Sequence, residues 1–295
     1  YVVAFLREKV GSPLKIKRTS SYELELAEYI ESFGIDVTKN TRKVIPPKEL
    51  DIYIKNKNLA IEVNGIYWHS AEKKIDKNYH ANKTNQCLNK GIRLLHFFDY
   101  EIEKKKGLVF SIVDSKLGFN KKIYGRKCRI DEISSKEYME FCNQHHLQGG
   151  VNASVRYGLF YNDQLVSVMG FGKSRFNKSY EYELLRFCNK TGHTIIGGAS
   201  KMFNAFIKNQ SPISVISYCQ KRLFTGTVYE NMGFVKQKDT PPNYFWVNPK
   251  GEVLSRYRTQ KHMLNTEKSE TEYMRSEGYY QIFDSGQTVF TWSNR

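Results

Sequence analysis

Two short β-rich runs, LDIYI at 50–54 and LAIEV at 59–63, flank the polar tetrapeptide KNKN, and this pattern constrains the fold more than any other feature of the chain. Such runs around a turn-like spacer predict an antiparallel hairpin. Each run carries one acid, Asp51 and Glu62. Glu62 lies between Ile61 and Val63, where a charge is costly to bury unless a cation stands beside it. Antiparallel pairing brings both carboxylates to one end of the sheet. Clustered carboxylate oxygens are the ligands that a hard divalent cation takes, Mg2+ or Mn2+ in its place, and such an ion supports phosphodiester hydrolysis.

The flanking residues predict an α/β organisation. Residues 20–33 read as an amphipathic helix with Leu24, Ala27, Ile30 and Phe33 at helical spacing, Ser20 and Glu23 as a capping box, and Gly34 as its stop. A second helix spans about 76–90, IRLLHFF at 92–98 is a buried strand, and a third helix covers about 101–116. The basic segment NKKIYGRK, 120–127, reads as a linker, with the boundary near Tyr124. Beyond it come a helix at 135–143, a hairpin turning at Asn162-Asp163, a strand at 182–188, a helix near 201–208 and a strand at 214–219. From about residue 248 follow a basic helix-like piece, SRYRTQKHML, and a terminal hairpin turning at Ser285-Gly286.

At 295 residues the chain suits two domains. Lysine and arginine number 46 against 30 acids, and the resulting charge of +16 suits a polyanion such as duplex DNA. Basic residues alternate with aromatics at Lys173, Arg175 and Phe176, at Lys221, Arg222 and Phe224, and at Arg256, Tyr257 and Arg258, a mixture suited to phosphate contact and base stacking. Tyr244, Phe245 and Trp246 read instead as strand or core residues. Five widely spaced cysteines without a C-x-x-C pair predict reduced, buried thiols and a protein working inside the host cell, in the cytoplasm. No apolar stretch reaches membrane-spanning length, and the opening YVVAFLREKVG is too short for a secretory signal. The chain starts at Tyr1 rather than Met, which leaves room for a segment before it.

Directly after the second run comes Asn64-Gly65-Ile66-Tyr67-Trp68-His69, placing an imidazole beside the expected metal. His69 can take a proton from water or give one to a leaving oxygen. This constellation, with Glu23 before it and Tyr79-His80-Ala81-Asn82-Lys83 and Gly91-Ile92-Arg93-Leu94-Leu95-His96 after it, resembles the PD-(D/E)XK nuclease superfamily. The resemblance is to its very-short-patch repair endonucleases and the related EDxHD homing endonucleases of phages. It covers about residues 20–98, and the Gly-Ile-Tyr-Trp-His run is its most specific piece. It implies a restriction-endonuclease-like fold that cuts double-stranded DNA with Mg2+. Asp51 would be the central ligand, Glu62 a second, Glu23 an outer carboxylate orienting a metal-bound water, and His69 the acid or base. Asn64 stands where the family pattern has lysine, so His69, His80 or Lys83 would serve as base. Glu25 is an alternative to Glu23, and Asp76 is the nearest counterpart of the final Asp.

From about 129 to 247 the pattern resembles a GNAT-type N-acetyltransferase, through YGLFYNDQLVSVMGFG and VYENMGF. The family's R/Q-x-x-G-x-G/A loop would fall on Thr194, Gly197 and Ala199, and Thr194 in place of Arg or Gln argues against acetyl-CoA. The expected organisation is therefore a nuclease domain at 1–124, a mixed α/β GNAT-like domain at 125–250 that binds DNA, and a short basic C-terminal extension at 251–295. Two other functions compete: a DNA-binding protein with a decayed nuclease fold, and a DNA-targeted acyltransferase.

Overall fold

The structure is a computed structural model describing residues 20–73, 76–264 and 266–294, so the opening YVVAFLREKVG lies outside the described residues. The fold is mixed α/β. Among the described residues no helix is long and apolar enough to cross a membrane.

The first part comprises α1 (Ser21–Glu31), β1 (Thr38–Ile45), β2 (Lys48–Ile54), β3 (Leu59–Asn64), α2 (Tyr79–Leu88), β4 (Arg93–Phe98) and α3 (Asp99–Leu117). The expected hairpin forms as β2 and β3, and β1 extends it to a sheet of order β1-β2-β3-β4 in which β3 and β4 run parallel. One face of the sheet packs on α1 and α3 through Leu26, Ala27, Ile30, Ile61, Val63, Leu95, Phe97 and Val109. The other face is covered by α2, with Cys87 against Ala60 and Leu94.

Helix α1 buries Glu23, Leu26, Ala27 and Ile30, whereas Leu24 and Phe33 are exposed. The apolar stripe is thus rotated from the one its spacing predicts. An acid, Glu23, occupies one of the buried positions, near enough to Asp51 to feel its charge.

The segment expected as a linker is structured. Residues Lys121–Tyr124 form β5, in parallel register with β10 (His193–Ile196), followed by a 3-10 turn at Gly125–Lys127. The remaining strands of the second part are β6 (Arg129–Glu132), β7 (Val155–Tyr161), β8 (Gln164–Lys173), β9 (Tyr182–Asn189), β11 (Ser214–Gln220), β12 (Val235–Asp239), β13 (Tyr244–Val247), β14 (Val253–Ser255), β15 (Tyr280–Phe283) and β16 (Gln287–Ser293). Its main helices are α4 (Ser135–His145) and α5 (Gly198–Gln210), with short turns α6 (Thr227–Glu230), α7 (Lys261–Leu264) and α8 (Glu270–Ser276). The large sheet has order β12-β16-β11-β9-β8-β7-β6. Asn162 and Asp163 make the β7–β8 turn with φ of 48° and 58°, the left-handed backbone that tight hairpins require.

The C-terminal segment is neither an extension nor a hairpin. Strand β15 pairs with β13 in a three-stranded sheet, while β16 lies inside the seven-stranded sheet between β12 and β11. Val289 and Phe290 are buried there, which explains why the strand enters the core instead of folding back on β15. All five cysteines are free and buried.

Candidate active site

The β2–β3 ladder pairs Ile54 with Leu59, Tyr53 with Ala60 and Ile52 with Ile61, and its regular pairing ends there. One step further, Asp51 stands opposite Glu62, and side chains replace the ladder. The Asp51 amide donates to Glu62 Oε1 (3.3 Å), and the Val63 amide donates to Asp51 Oδ2 (2.9 Å). Each carboxylate therefore reaches the opposite strand. Glu62 is 2% exposed and pairs in register with His96 on β4. Strand alternation puts Asn64 on that same face, beneath α2.

Helix α2 supplies the cation. The Lys83 ammonium donates to Glu62 Oε2. Burial pushes Glu62 up to about 8, with the charge of Asp51 adding to it and Lys83 opposing. Burial alone would lower the Lys83 amine, but Glu62, Tyr79 and Asp51 hold it above its ordinary value. Burial also raises Asp51, against the pull of Lys83 and of the Val63 amide. At the start of α1, Ser20 Oγ accepts from the Glu23 amide (3.2 Å). Burial, then the charge of Asp51, push the Glu23 carboxyl up to about 7. Glu25 instead pairs with Lys106.

The loop after β3 brings His69 to within 3.3 Å of His80, Nδ1 to Nε2. The His80 ring stacks on His96 at 5.3 Å with 2° between planes. His96 Nε2 lies 2.9 Å from Thr84 Oγ1, and its Nδ1 lies 3.4 Å from the Asn64 amide nitrogen. Thr84 in turn donates to Ser285 (3.3 Å), so the second part of the chain touches this column. Burial first, then nearby positive charge from Lys83, lowers His69 to about 4. Burial, His69 and Lys83 lower His80 to about 3. Both rings are neutral at neutral pH.

The structure thus assembles Glu23, Asp51, Glu62, Lys83, His69 and His80. Asn64 is 1% exposed and its amide donates to the Phe97 carbonyl (3.3 Å) toward β4, while Lys83 stands on Glu62. Asp76 is exposed and caps a turn by accepting from the Asn78 amide (3.1 Å).

Of the basic residues singled out for DNA, Arg222 is not on the surface. It is 6% exposed, both of its terminal nitrogens donate to Glu101, and one also donates to the His96 carbonyl (2.9 Å). It joins the second part of the chain to β4 and α3. Lys221 pairs with Asp239 (2.8 Å) and its side chain is 15% exposed. Arg175 is held by Glu183, Arg256 sits over Tyr244 at 5.1 Å, and Lys173 and Arg258 are exposed. Tyr244, Phe245 and Trp246 form β13, with Trp246 fully buried.

Sequence reasoning gave no place in the site to Thr84, Lys48 or Ser285, and named His96 only as part of the resemblance, without a role. His96 carried the same signal as Glu62, a polar residue inside an apolar run. Lys48, which feels Lys83, Asp76 and Glu62, carried none.

Among the described residues no group of three or more His, Cys, Asp or Glu side chains is placed to hold a metal ion. The carboxylates that come together are Asp51 and Glu62, each bonded to the other's strand, with Glu23 near enough to feel the charge of Asp51. A hard ion that keeps most of its waters needs only one or two carboxylate ligands.

The chain is similar to three solved structures in particular. The homing endonuclease I-Bth0305I catalytic domain is 26% identical over 34% of this chain and 96% of its own, with a TM-score of 0.28. A Bacillus subtilis acetyltransferase in complex with CoA is 12% identical over 57% of this chain and 100% of its own, at 0.34. A GNAT family acetyltransferase from Elizabethkingia anophelis with acetyl-CoA bound is 10% identical over 57% and 99%, at 0.31. No protein-family model and no curated protein matches the chain. Such TM-scores leave the chemistry of this chain to be decided by its own residues.

Proposed function

We propose that the chain is a metal-dependent DNA endonuclease of the restriction-endonuclease-like type, with the nuclease site on β2, β3 and α2 and a GNAT-like second part that grips DNA. The observation that supports this is the reciprocal reach of Asp51 and Glu62 across the end of the β2–β3 ladder, with Lys83 on Glu62. Asp51 and Glu62 would hold Mg2+, which supplies polarisation of the phosphoryl group when bound. Lys83 fixes the Glu62 carboxylate and places positive charge where negative charge develops on the phosphate. His69, kept neutral by burial, accepts the proton of the attacking water, and His80 orients its ring through Nδ1. Lys173, Arg175, Arg256 and Arg258 supply phosphate contacts, a role that Arg222 is too buried to share. Incubating supercoiled plasmid with the protein in Mg2+ and in chelator tests the proposal. Nicked or linear product only with Mg2+ supports it, and intact plasmid in both overturns it.

Acyl transfer is the second reading, and one feature favours it. Helix α5 opens beside a cleft of about 530 Å³ lined by Tyr124, Arg126, Gly197, Ser200 and Lys201, and helix amides with cations suit a pyrophosphate. Against it, the backbone of Gly125 packs on that helix start: a Cβ there would lie 2.9 Å from the Gly198 nitrogen. Calorimetry with acetyl-CoA decides between the readings, since a cofactor-binding site gives a saturable heat and a DNA-gripping surface does not.

A further inference from the structure

We propose that the β8–β9 loop, residues 174–181, is a wedge that inserts Phe176 between stacked bases of duplex DNA while Lys178 and the adjoining Lys173 hold the flanking phosphates; this rests on the nuclease reading for its partner. Phe176 is 68% exposed. Single exposed aromatics are ordinary. Here the loop that presents the ring is braced far beyond what a surface connection needs. Glu183, 1% exposed, accepts from the Arg175 amide (3.0 Å) and from its Nε (3.2 Å) and Nη2 (2.6 Å). Ser174 Oγ donates to the Asn177 carbonyl (2.6 Å), and Lys178 donates to the Ser174 carbonyl (2.7 Å). At the far end the Ile213 amide donates to Glu181 (2.7 Å), tying the loop to the start of β11.

A buried carboxylate is costly unless paired with good geometry. In this loop the pair fixes backbone as well as side chain, because Glu183 takes the Arg175 amide together with its guanidinium. The result is a preformed tip, which keeps the ordering cost of binding low. The Phe176 ring rests edge-on against Tyr218 (6.1 Å, 86°) with the Arg175 guanidinium 5.4 Å from its centre. Lys173 and Lys178 lie three or fewer residues from it along the chain and are exposed. Both nearby acids are engaged, Glu181 by the Ile213 amide and Glu183 by Arg175. An apolar ring framed by cations matches a base step between phosphates, the arrangement by which apolar side chains unstack and unwind a duplex.

The test uses full-length protein carrying Asp51→Ala, so that plasmid stays closed. Relaxed circular plasmid is incubated with it, resealed by a topoisomerase, stripped of protein, and its linking number read on a gel. The proposal expects a lowered linking number. Adding Phe176→Ala should abolish that shift and weaken duplex affinity roughly 5- to 150-fold, with circular dichroism unchanged because the ring is outside the core. Phe176→Trp should keep both properties, and Lys173→Gln should weaken binding while unwinding per bound protein persists. Equal unwinding by the Phe176→Ala protein, binding without unwinding by its parent, or no binding at all overturns the wedge. Since the readout needs no cleavage, the two failures are told apart: a wild-type protein that binds and unwinds duplex without cutting sinks the nuclease reading alone.

Discussion

Lys83 on α2 and Glu62 on β3 form an ion pair in which the two side chains are 4% and 2% exposed. The pair joins the helix to the strand and puts a fixed positive charge at the place where Asp51 and Glu62 face each other. Its burial makes it sensitive to the loss of either partner.

Replacing Lys83 by Met strands the Glu62 carboxylate in the interior. Breaking such a pair costs about 3–5 kcal/mol, whereas removing both charges is far cheaper. Urea denaturation should show Lys83→Met strongly destabilised and Lys83→Met with Glu62→Leu recovering most of the loss. Equal destabilisation of single and double variants would show that the two side chains do not interact.

His69→Ala should lower cleavage by on the order of 10² to 10⁴-fold with DNA affinity nearly unchanged, as proton transfer requires. Single-turnover cleavage and filter binding measure the two effects separately. Undiminished cleavage would remove His69 from the chemistry.

Acid should destabilise the fold through the buried imidazoles. His69 is lowered to about 4 and His80 to about 3, both first by burial, while in the unfolded chain each titrates at the ordinary 6.5. Below 6.5 the unfolded chain takes up protons that the folded one refuses, so stability rises with pH in this window. The contribution is complete above 6.5 and is lost as pH falls through about 4 and 3. Urea midpoints at pH 7 and pH 5 should drop in the wild type and drop less in His80→Gln. An identical drop in both would assign the acid sensitivity to other groups.

Arg222→Ala should cost about 3–5 kcal/mol by leaving Glu101 buried and unpaired, and Arg222→Lys should restore little, since one ammonium cannot reproduce the paired contacts. Arg258→Ala, at an exposed position, should stay within about 0.5 kcal/mol. Thermal or urea unfolding of the three variants measures this directly.

The residues that sequence reading located are those whose local context is anomalous. Glu62 interrupts an apolar run, and His69 ends an unusual aromatic loop, so both could be singled out before any fold existed. Lys83 on Glu62, by contrast, depends on how α2 lies across β3, and the local pattern of a helix does not specify what its buried face meets. Arg222 looked like a surface cation because its neighbours are basic and aromatic; its partner Glu101 lies 121 residues away. The C-terminal strands were misread for the opposite reason. A Gly-containing turn between two apolar runs signals a hairpin locally, yet tertiary packing sends β15 and β16 to different sheets. The rotated face of α1 has a similar origin, since which side of the helix is buried depends on how it packs against the sheet, here with Leu26, Ala27 and Ile30 inward.

Cleavage of a closed-circular plasmid by wild type, Asp51→Asn and Glu62→Gln, each in Mg2+, tests the shared carboxylate site most directly. Both substitutions keep side-chain size while removing the charge that would hold the cation. The prediction is cutting by the wild type and a loss of at least about 10³-fold in each variant, with circular dichroism unchanged. Cutting by Asp51→Asn at the wild-type rate would contradict it.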